Sequence, residues 1–420
     1  MGNTKFKKIL MVLAFVTIVV LMAIVIWNLF FKSDSPIVPT PGEEDSPGIG
    51  LPISPDGTPI ITDGEDPGRI EPEIPTRPQE PLDPQAGETG GVSNIAIGGV
   101  TKVSSLVDSQ TVSPALSRDG NSVQFYNKDD GKFYVVNDNG DIIPFSDKVF
   151  HNVSDVEWAP NKTKAVIEYP DDTKIIYDFS TNKQVTLPKH WEDFTFSADS
   201  EKLVNKSLGI DPDNRWLIIS NSDGSQTRAL EELGLNDKWV IPYWQPNNQS
   251  VGMYTQGVDS NRREVFFIGQ NGENFKSTII EGWNFEPLWS ENGDKLLYSV
   301  ASPKDNLMPK VWIVNASGNS IGTSRTDLQL QTWASKCTFA DNDTVYCAVP
   351  TSLEPMSGIF TEMSQMTSDE LYRIDISSGQ KTLIAIPEGN QNISSIMVDS
   401  RQETLFFTNS SGNIQKIQLK

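Results

Sequence analysis

One short pattern recurs seven times in this chain: an apolar, usually aromatic residue, a tight polar turn, and then a β-rich run. Its fullest copy is Trp289-Ser-Glu-Asn-Gly-Asp-Lys-Leu-Leu-Tyr-Ser299, and the others start at Leu116, Trp158, Phe196, Trp244, Phe339 and Val398. Successive copies lie 42, 38, 48, 45, 50 and 59 residues apart. That is the period of a four-stranded propeller blade with loops of varying length. The pattern therefore predicts an all-β, seven-bladed β-propeller over residues 93–420, six or eight blades being the alternatives.

Each repeat reads as a first strand ending at the aromatic anchor, a turn, a second strand, a loop, a third strand, a short turn and a fourth strand. The third strands are the clearest, for example Lys174-Ile-Ile-Tyr-Asp178 and Lys310-Val-Trp-Ile-Val-Asn315, β-rich runs between turn formers. Turns at Asn139-Gly140, Thr181-Asn182, Asp223-Gly224, Asn271-Gly272, Ser317-Gly318 and Ser378-Gly379 follow them, where Gly or Asn supplies the positive φ of a hairpin. The last repeat runs out after its third strand. The run Gly99 to Val107, ahead of the first repeat, is the natural donor of the missing one, closing the ring and removing open edges.

The region before the repeats has two parts. Residues 9–31 are apolar apart from Thr17 and Asn28, long enough for a transmembrane helix, which needs about 20 residues. Lys5, Lys7 and Lys8 precede this run, so the positive-inside rule predicts a single-pass anchor with residues 1–8 cytoplasmic and the remainder extracytoplasmic, periplasmic or at the cell surface. A cleavable signal peptide fits less well, since its apolar core is about 7–15 residues with a small-residue cleavage site. Residues 33–92 hold thirteen prolines, thirteen acids and no aromatic residue, a composition that predicts a disordered, extended linker (residues 32–92) lifting the head from the membrane or docking a partner.

Charge excludes one class of partner. The first 32 residues carry four lysines and no acid, and residues 33–92 carry thirteen acids and two arginines, leaving −14 of the chain's −21 on the repeats. Such a surface repels phosphate backbones, so nucleic acid is not an expected partner.

The repeat resembles the Trp-Ser-Pro-Asp-Gly-Lys repeat of TolB-like propellers, also called PD40 or WD40-like repeats. Lys336-Cys-Thr-Phe339 followed by Val345-Tyr-Cys-Ala-Val-Pro350 is further similar to uncharacterised membrane-anchored bacterial propellers with a cysteine pair in a late blade. Most copies depart from the repeat motif, with its proline kept only at Pro160 and Pro246. The resemblance implies a propeller outside the cytoplasm that serves as a binding or assembly platform.

Candidate chemistry is sparse. Cys337 and Cys347 are symmetric about Asn342 and so face each other across a hairpin; a disulfide is expected in an exported protein, with free thiols or a metal or redox pair as alternatives. Gly318-Asn-Ser-Ile-Gly322 matches a nucleophile elbow but lies at a hairpin with no later histidine. His151 and His190 lack a spaced partner for zinc, and Asn137 to Asp141 lacks the distant glutamate of a calcium loop. The anchors Trp158, Trp244, Trp289 and Phe339 read as packing between blades, and the sequons at Asn152, Asn161 and Asn392 would matter only in a eukaryotic secretory pathway. No catalytic residue, metal or cofactor is predicted. An enzyme of lyase or glycoside hydrolase type is the alternative, with Glu157, Glu192, Asp193 and Glu286 as channel carboxylates.

Connections between second and third strands are long in four consecutive repeats, and long loops on a rigid scaffold commonly carry binding residues. The longest, Pro350 to Asp369, holds Met356, Ile359, Phe360, Met363 and Met366; Asp259 lies on an earlier one. These six residues are the predicted contacts for a protein or cell-envelope partner. The same insertion is also compatible with a short helix capping the channel.

Overall fold

The structure is a computed structural model that describes residues 91–273, 275–364 and 367–420. The expected membrane span and linker, and Met366 of the insertion, lie outside the described residues. Among the described residues no helix is long and apolar enough to cross a membrane.

Seven sheets, each of four consecutive antiparallel strands or their equivalent, follow one another along the chain. The first strands are Thr111–Leu116, Asp155–Trp158, Trp191–Phe196, Val240–Pro242, Trp283–Trp289, Cys337–Phe339 and Ile393–Val398. This is the seven-bladed propeller the repeat predicts, with these strands lining the central channel. The polar turns are as regular as the pattern demands. Gly120, Lys162, Ser200, Asn248, Gly293 and Gln402 occupy one position of the hairpin, and all have φ between 52° and 72°. The sixth hairpin is one residue shorter between anchor and second strand and lacks a left-handed residue there.

Ring closure is where the sequence places it. Ser104–Val107 pairs antiparallel with Ile414–Gln418 and supplies the fourth strand of the seventh blade. The run does more than the sequence predicts: Val100–Thr101 also adds in parallel to Lys381–Pro387 of the sixth blade, as a fifth strand. One N-terminal segment thus ties two blades.

Strand alternation fills every gap between blades. In the second blade Ala165 and Ile167 point at the first blade, into a cluster with Tyr126, Phe133 and Trp158, while Val166 points at the third, beside Trp191, Phe196 and Leu203. One apolar cluster occupies each of the seven interfaces, and the last, Val107, Val123, Phe125, Phe406 and Ile414, joins the seventh blade to the first. Trp158, Trp244 and Trp289 each pack against the preceding blade, and fully burying such a side chain contributes about 2–3 kcal/mol.

Candidate functional site

Both the loops between second and third strands and those between blades emerge at one end of the channel, called the upper mouth here. At this end the first strands of four blades are interrupted by β-bulges, between Val112 and Ala115, Glu192 and Thr195, Trp283 and Glu286, and Ile393 and Ser395. In three of them a non-glycine residue adopts the left-handed region: Ser113 (φ 45°), Asp193 (φ 55°) and Asn284 (φ 52°). Such backbone is costly outside glycine and is retained where it re-aims a side chain. Each of the three is used. Ser113 Oγ donates to Asp155 Oδ1 at 2.5 Å, Asp193 pairs with Lys206 at 2.6 Å, and Asn284 Nδ2 donates to Gly358 O at 2.9 Å.

One flank of the mouth is a polar cavity of 430 Å³ where Asp155, Glu157, Glu168, Asp172, Glu192 and Asp193 converge around Lys174. Burial pushes the Glu157 carboxyl up to about 8, with the Lys162 charge opposing that shift and Asp155 and Glu168 adding to it. Glu168 is raised as well, first by burial and then by its acidic neighbours against Lys174. Tyr243 of the fourth blade is held up at about 12 by burial, and the Glu157 charge adds to the effect. The channel carboxylates named from the sequence are therefore divided: Glu157, Glu192 and Asp193 meet here, and Glu286 does not.

Glu286 belongs to the opposite flank, a cavity of 610 Å³ between blades five to seven. Its carboxylate accepts from Ser335 N at 3.0 Å and Ser299 Oγ at 3.2 Å. The insertion after Pro350 closes this cavity from above through Gly358, Thr361 and Ser364. It turns once, as the 3-10 helix Thr361–Ser364, and is bonded to three neighbours. Met356 N and Gly358 N donate to Asn306 O and Leu307 O, both at 2.9 Å, Asn284 holds Gly358 O, and Asn392 Nδ2 donates to Ser364 O at 2.9 Å and Thr367 O at 2.7 Å. Its base is fixed by a buried ion pair, Lys336 Nζ to both oxygens of Asp369 at 2.9 Å. Burial raises the Asp369 carboxyl, while Lys336 and the Ile393 amide oppose that shift. The insertion thus bridges the fifth and seventh blades over this cavity, and at the same time Met356, Phe360 and Met363 stay 44–50% exposed; Ile359 is half-buried.

Asp259 sits apart from these residues. It lines a smaller cavity of 340 Å³ with Pro303 and Lys304 of the next blade, and it is paired with Arg262 at 2.7 Å. The Asn261 amide and then Arg262 hold its carboxyl below the usual range. Cys337 and Cys347 are bonded, S–S 2.07 Å, as directly opposed partners in the sixth blade's first hairpin. Ser320 of the elbow-like motif lies in a 3-10 turn and donates to Ser317 O at 2.6 Å, and His151 and His190 are exposed loop residues. Among the described residues no group of three His, Cys, Asp or Glu side chains is placed to hold a metal ion.

Sequence reasoning misses Asn284, Lys336, Asp369 and Asn392, whose partners are distant in the chain. The bulges leave a faint trace, two adjacent polar residues breaking alternation at Glu192-Asp193 and a proline inside a strand at Pro114.

No protein-family model matches the sequence, and no curated protein matches it. Solved structures do match in fold. An oligogalacturonate lyase in complex with manganese aligns at 13% identity with a TM-score of 0.53, over 76% of this chain and 93% of that one. A β-propeller domain from Myceliophteria thermophila (11%, TM-score 0.49, 76% and 100% covered) and an oligogalacturonate lyase from Vibrio parahaemolyticus (10%, TM-score 0.48, 76% and 93%) align less closely. At 13% identity the first of these likenesses shows the fold alone, in keeping with the seven sheets of this chain.

Proposed function

We propose that the protein is a membrane-tethered, extracytoplasmic binding head of TolB-like type, which captures a protein or cell-envelope component at its upper mouth and performs no catalysis of its own. The observation that carries this reading is the insertion. It is bonded to the fifth and seventh blades, yet it presents Met356, Phe360 and Met363 to solvent, and apolar side chains held outward suit partner recognition. The tether rests on the apolar run at residues 9–31 and the lysines before it.

The test is cross-linking on intact cells followed by purification of the chain. A partner captured by the natural sequence should be lost in the triple variant Met356→Ser, Phe360→Ser, Met363→Ser, with thermal stability kept. Undiminished capture removes this face from consideration. A fragment released by external protease and starting within residues 33–92 would support the orientation, and protection of that stretch would refute it.

The enzyme reading has one observation in its favour. Glu157, with its carboxyl at about 8, keeps its proton at neutral pH, the state a general acid requires. Turnover of acidic or neutral oligosaccharides that disappears in Glu157→Gln would establish it in place of the binding reading.

A further inference from the structure

Two bulged first strands flank the cavity between blades five to seven. In the fifth blade the bulge between Trp283 and Glu286 brings Asn284 and Phe285 to its wall, and in the seventh the bulge between Ile393 and Ser395 brings Ser394 there. Its 610 Å³ falls within the range of about 300–1,000 Å³ that small-molecule sites occupy. The insertion roofs it, yet Asn284, Ser335 and Ser394, one at the start of each blade, are exposed, so solvent reaches it. Phe285 and Trp333 give it aromatic surface. Trp333 is only 7% exposed, and its indole N–H has no hydrogen-bond partner among the described residues, a costly state for a buried donor. Asn284 is bonded through Nδ2, Ser335 through its backbone N and Thr361 through its backbone O. That leaves one amide oxygen and two hydroxyls on the wall without a partner among the described residues.

We propose that this cavity binds a pyranose sugar, neutral or bearing an amine, and rejects uronic acids. Sugar hydroxyls both donate and accept, which suits a wall of carboxylate, amide oxygen and hydroxyl groups at Glu286, Asn284, Ser335 and Thr361. The apolar face of the ring covers aromatic surface of Phe285 or Trp333, and a hydroxyl set against the indole supplies the acceptor it lacks. Charge selects among sugars. Of the described lining residues only Glu286 and Lys336 are charged, and Lys336 is held by the buried Asp369 carboxylate. Glu286 accepts only from neutral donors, Ser335 N and Ser299 Oγ, and has no ion-pair partner among the described residues. The insertion adds Glu354 and Glu362, both exposed, and no cation. The fifth-blade loop bonded to it has Lys304 and Lys310, but these are paired with Glu281 and with Asp305 and Asp327. A ligand carboxylate is therefore repelled and an amine is attracted. This inference does not depend on the partner reading of Met356, Phe360 and Met363, none of which lines the cavity.

The test is calorimetric titration of the full chain with disaccharides of glucose, galactose and mannose, each as the neutral sugar, the amino sugar and the uronic acid. At least one neutral or amino disaccharide should bind, and its uronic acid counterpart should bind at least about tenfold more weakly. Glu286→Gln, which keeps an acceptor and removes the charge, should narrow that gap to about threefold or less. Ser335→Trp and Ser394→Trp, two independent substitutions at exposed positions of the wall, should each weaken binding at least about tenfold with an unchanged circular dichroism spectrum, because the indole occupies the cavity. The triple variant Met356→Ser, Phe360→Ser, Met363→Ser should bind the sugar within about twofold of the natural protein, which separates this site from the partner face. The proposal is overturned if no neutral or amino disaccharide binds at millimolar concentration, if the uronic acids bind as tightly, or if both tryptophan variants fold and bind undiminished. Loss of binding in the triple variant alone would place the sugar on the outside of the insertion and would overturn it as well.

Discussion

Glu157 is the residue whose chemistry departs furthest from its type. Its carboxyl moves from an ordinary 4.5 to about 8 on folding, so the folded protein binds this proton more tightly than the unfolded chain. The resulting stabilisation is complete below about pH 4.5 and is lost as pH rises toward 8. Glu157→Gln, which is neutral throughout, is expected to match the natural protein at about pH 4 and to exceed it at about pH 9 by on the order of 2 kcal/mol, less than the full shift implies because the side chain keeps some solvent access. Urea unfolding at the two pH values measures this, and an equal effect at both would show that burial does not govern the residue. The disulfide predicts a pH-independent effect of similar size. Its hairpin spans few residues, so replacing Cys337 and Cys347 together by Ala should cost about 2 kcal/mol while the far-ultraviolet spectrum is retained. A collapsed fold would mean that the sixth blade depends on the bridge.

At the scale of the element, the insertion between Pro350 and Asp369 carries two roles that the sequence presents as alternatives. It closes over the cavity between blades five to seven and it displays apolar side chains. Gly358 makes this geometry possible, because an added Cβ would lie 2.7 Å from Ala301 Cβ and 2.8 Å from Leu307 O. Gly358→Ala is therefore expected to lift the insertion from the fifth blade without unfolding the propeller. The readout is limited proteolysis, with cleavage appearing between Thr351 and Ser368 at least several times faster, while the thermal midpoint moves by only a few degrees. An insertion as resistant as in the natural protein would show that its neighbours yield to the methyl group.

The whole molecule is a closed ring of seven similar interfaces, and its closure rests on chain that precedes the first repeat. Val107 belongs to the apolar cluster joining the seventh blade to the first. A chain beginning at residue 108 loses the Ser104–Val107 strand, exposes the edge of Ile414–Gln418 and opens that cluster. Its midpoint should fall by roughly 10 °C or more, with aggregation through the free edge. A chain beginning at residue 103 keeps the closing strand but loses the parallel addition to the sixth blade, with the bonds of Ala96 N to Gln418 O and Gly98 N to Ile384 O, and should fall by a few degrees. Calorimetry separates the two, and equal losses would place ring closure in the Val100–Thr101 pairing instead.

The sequence by itself determined the blades. Anchor, polar turn and alternating strand are local signals, so Trp289-Ser-Glu-Asn-Gly293 or Lys174 to Asp178 could be placed with no knowledge of their neighbours, and the positive φ at Gly140, Asn182, Gly224, Gly272, Gly318 and Gly379 follows from the same local chemistry. Ring closure by residues 104–107 and the Cys337–Cys347 pairing were also legible, since a missing strand and a symmetric spacing leave a mark in one dimension. What the tertiary structure alone decided is which distant residues meet at the channel mouth. Lys336 finds Asp369, Asn284 finds Gly358 and Asn392 finds Ser364 across 33, 74 and 28 residues, and six acids from two blades share one cavity. No periodicity encodes these contacts, because they depend on how the bulged first strands converge around the channel once the ring has closed.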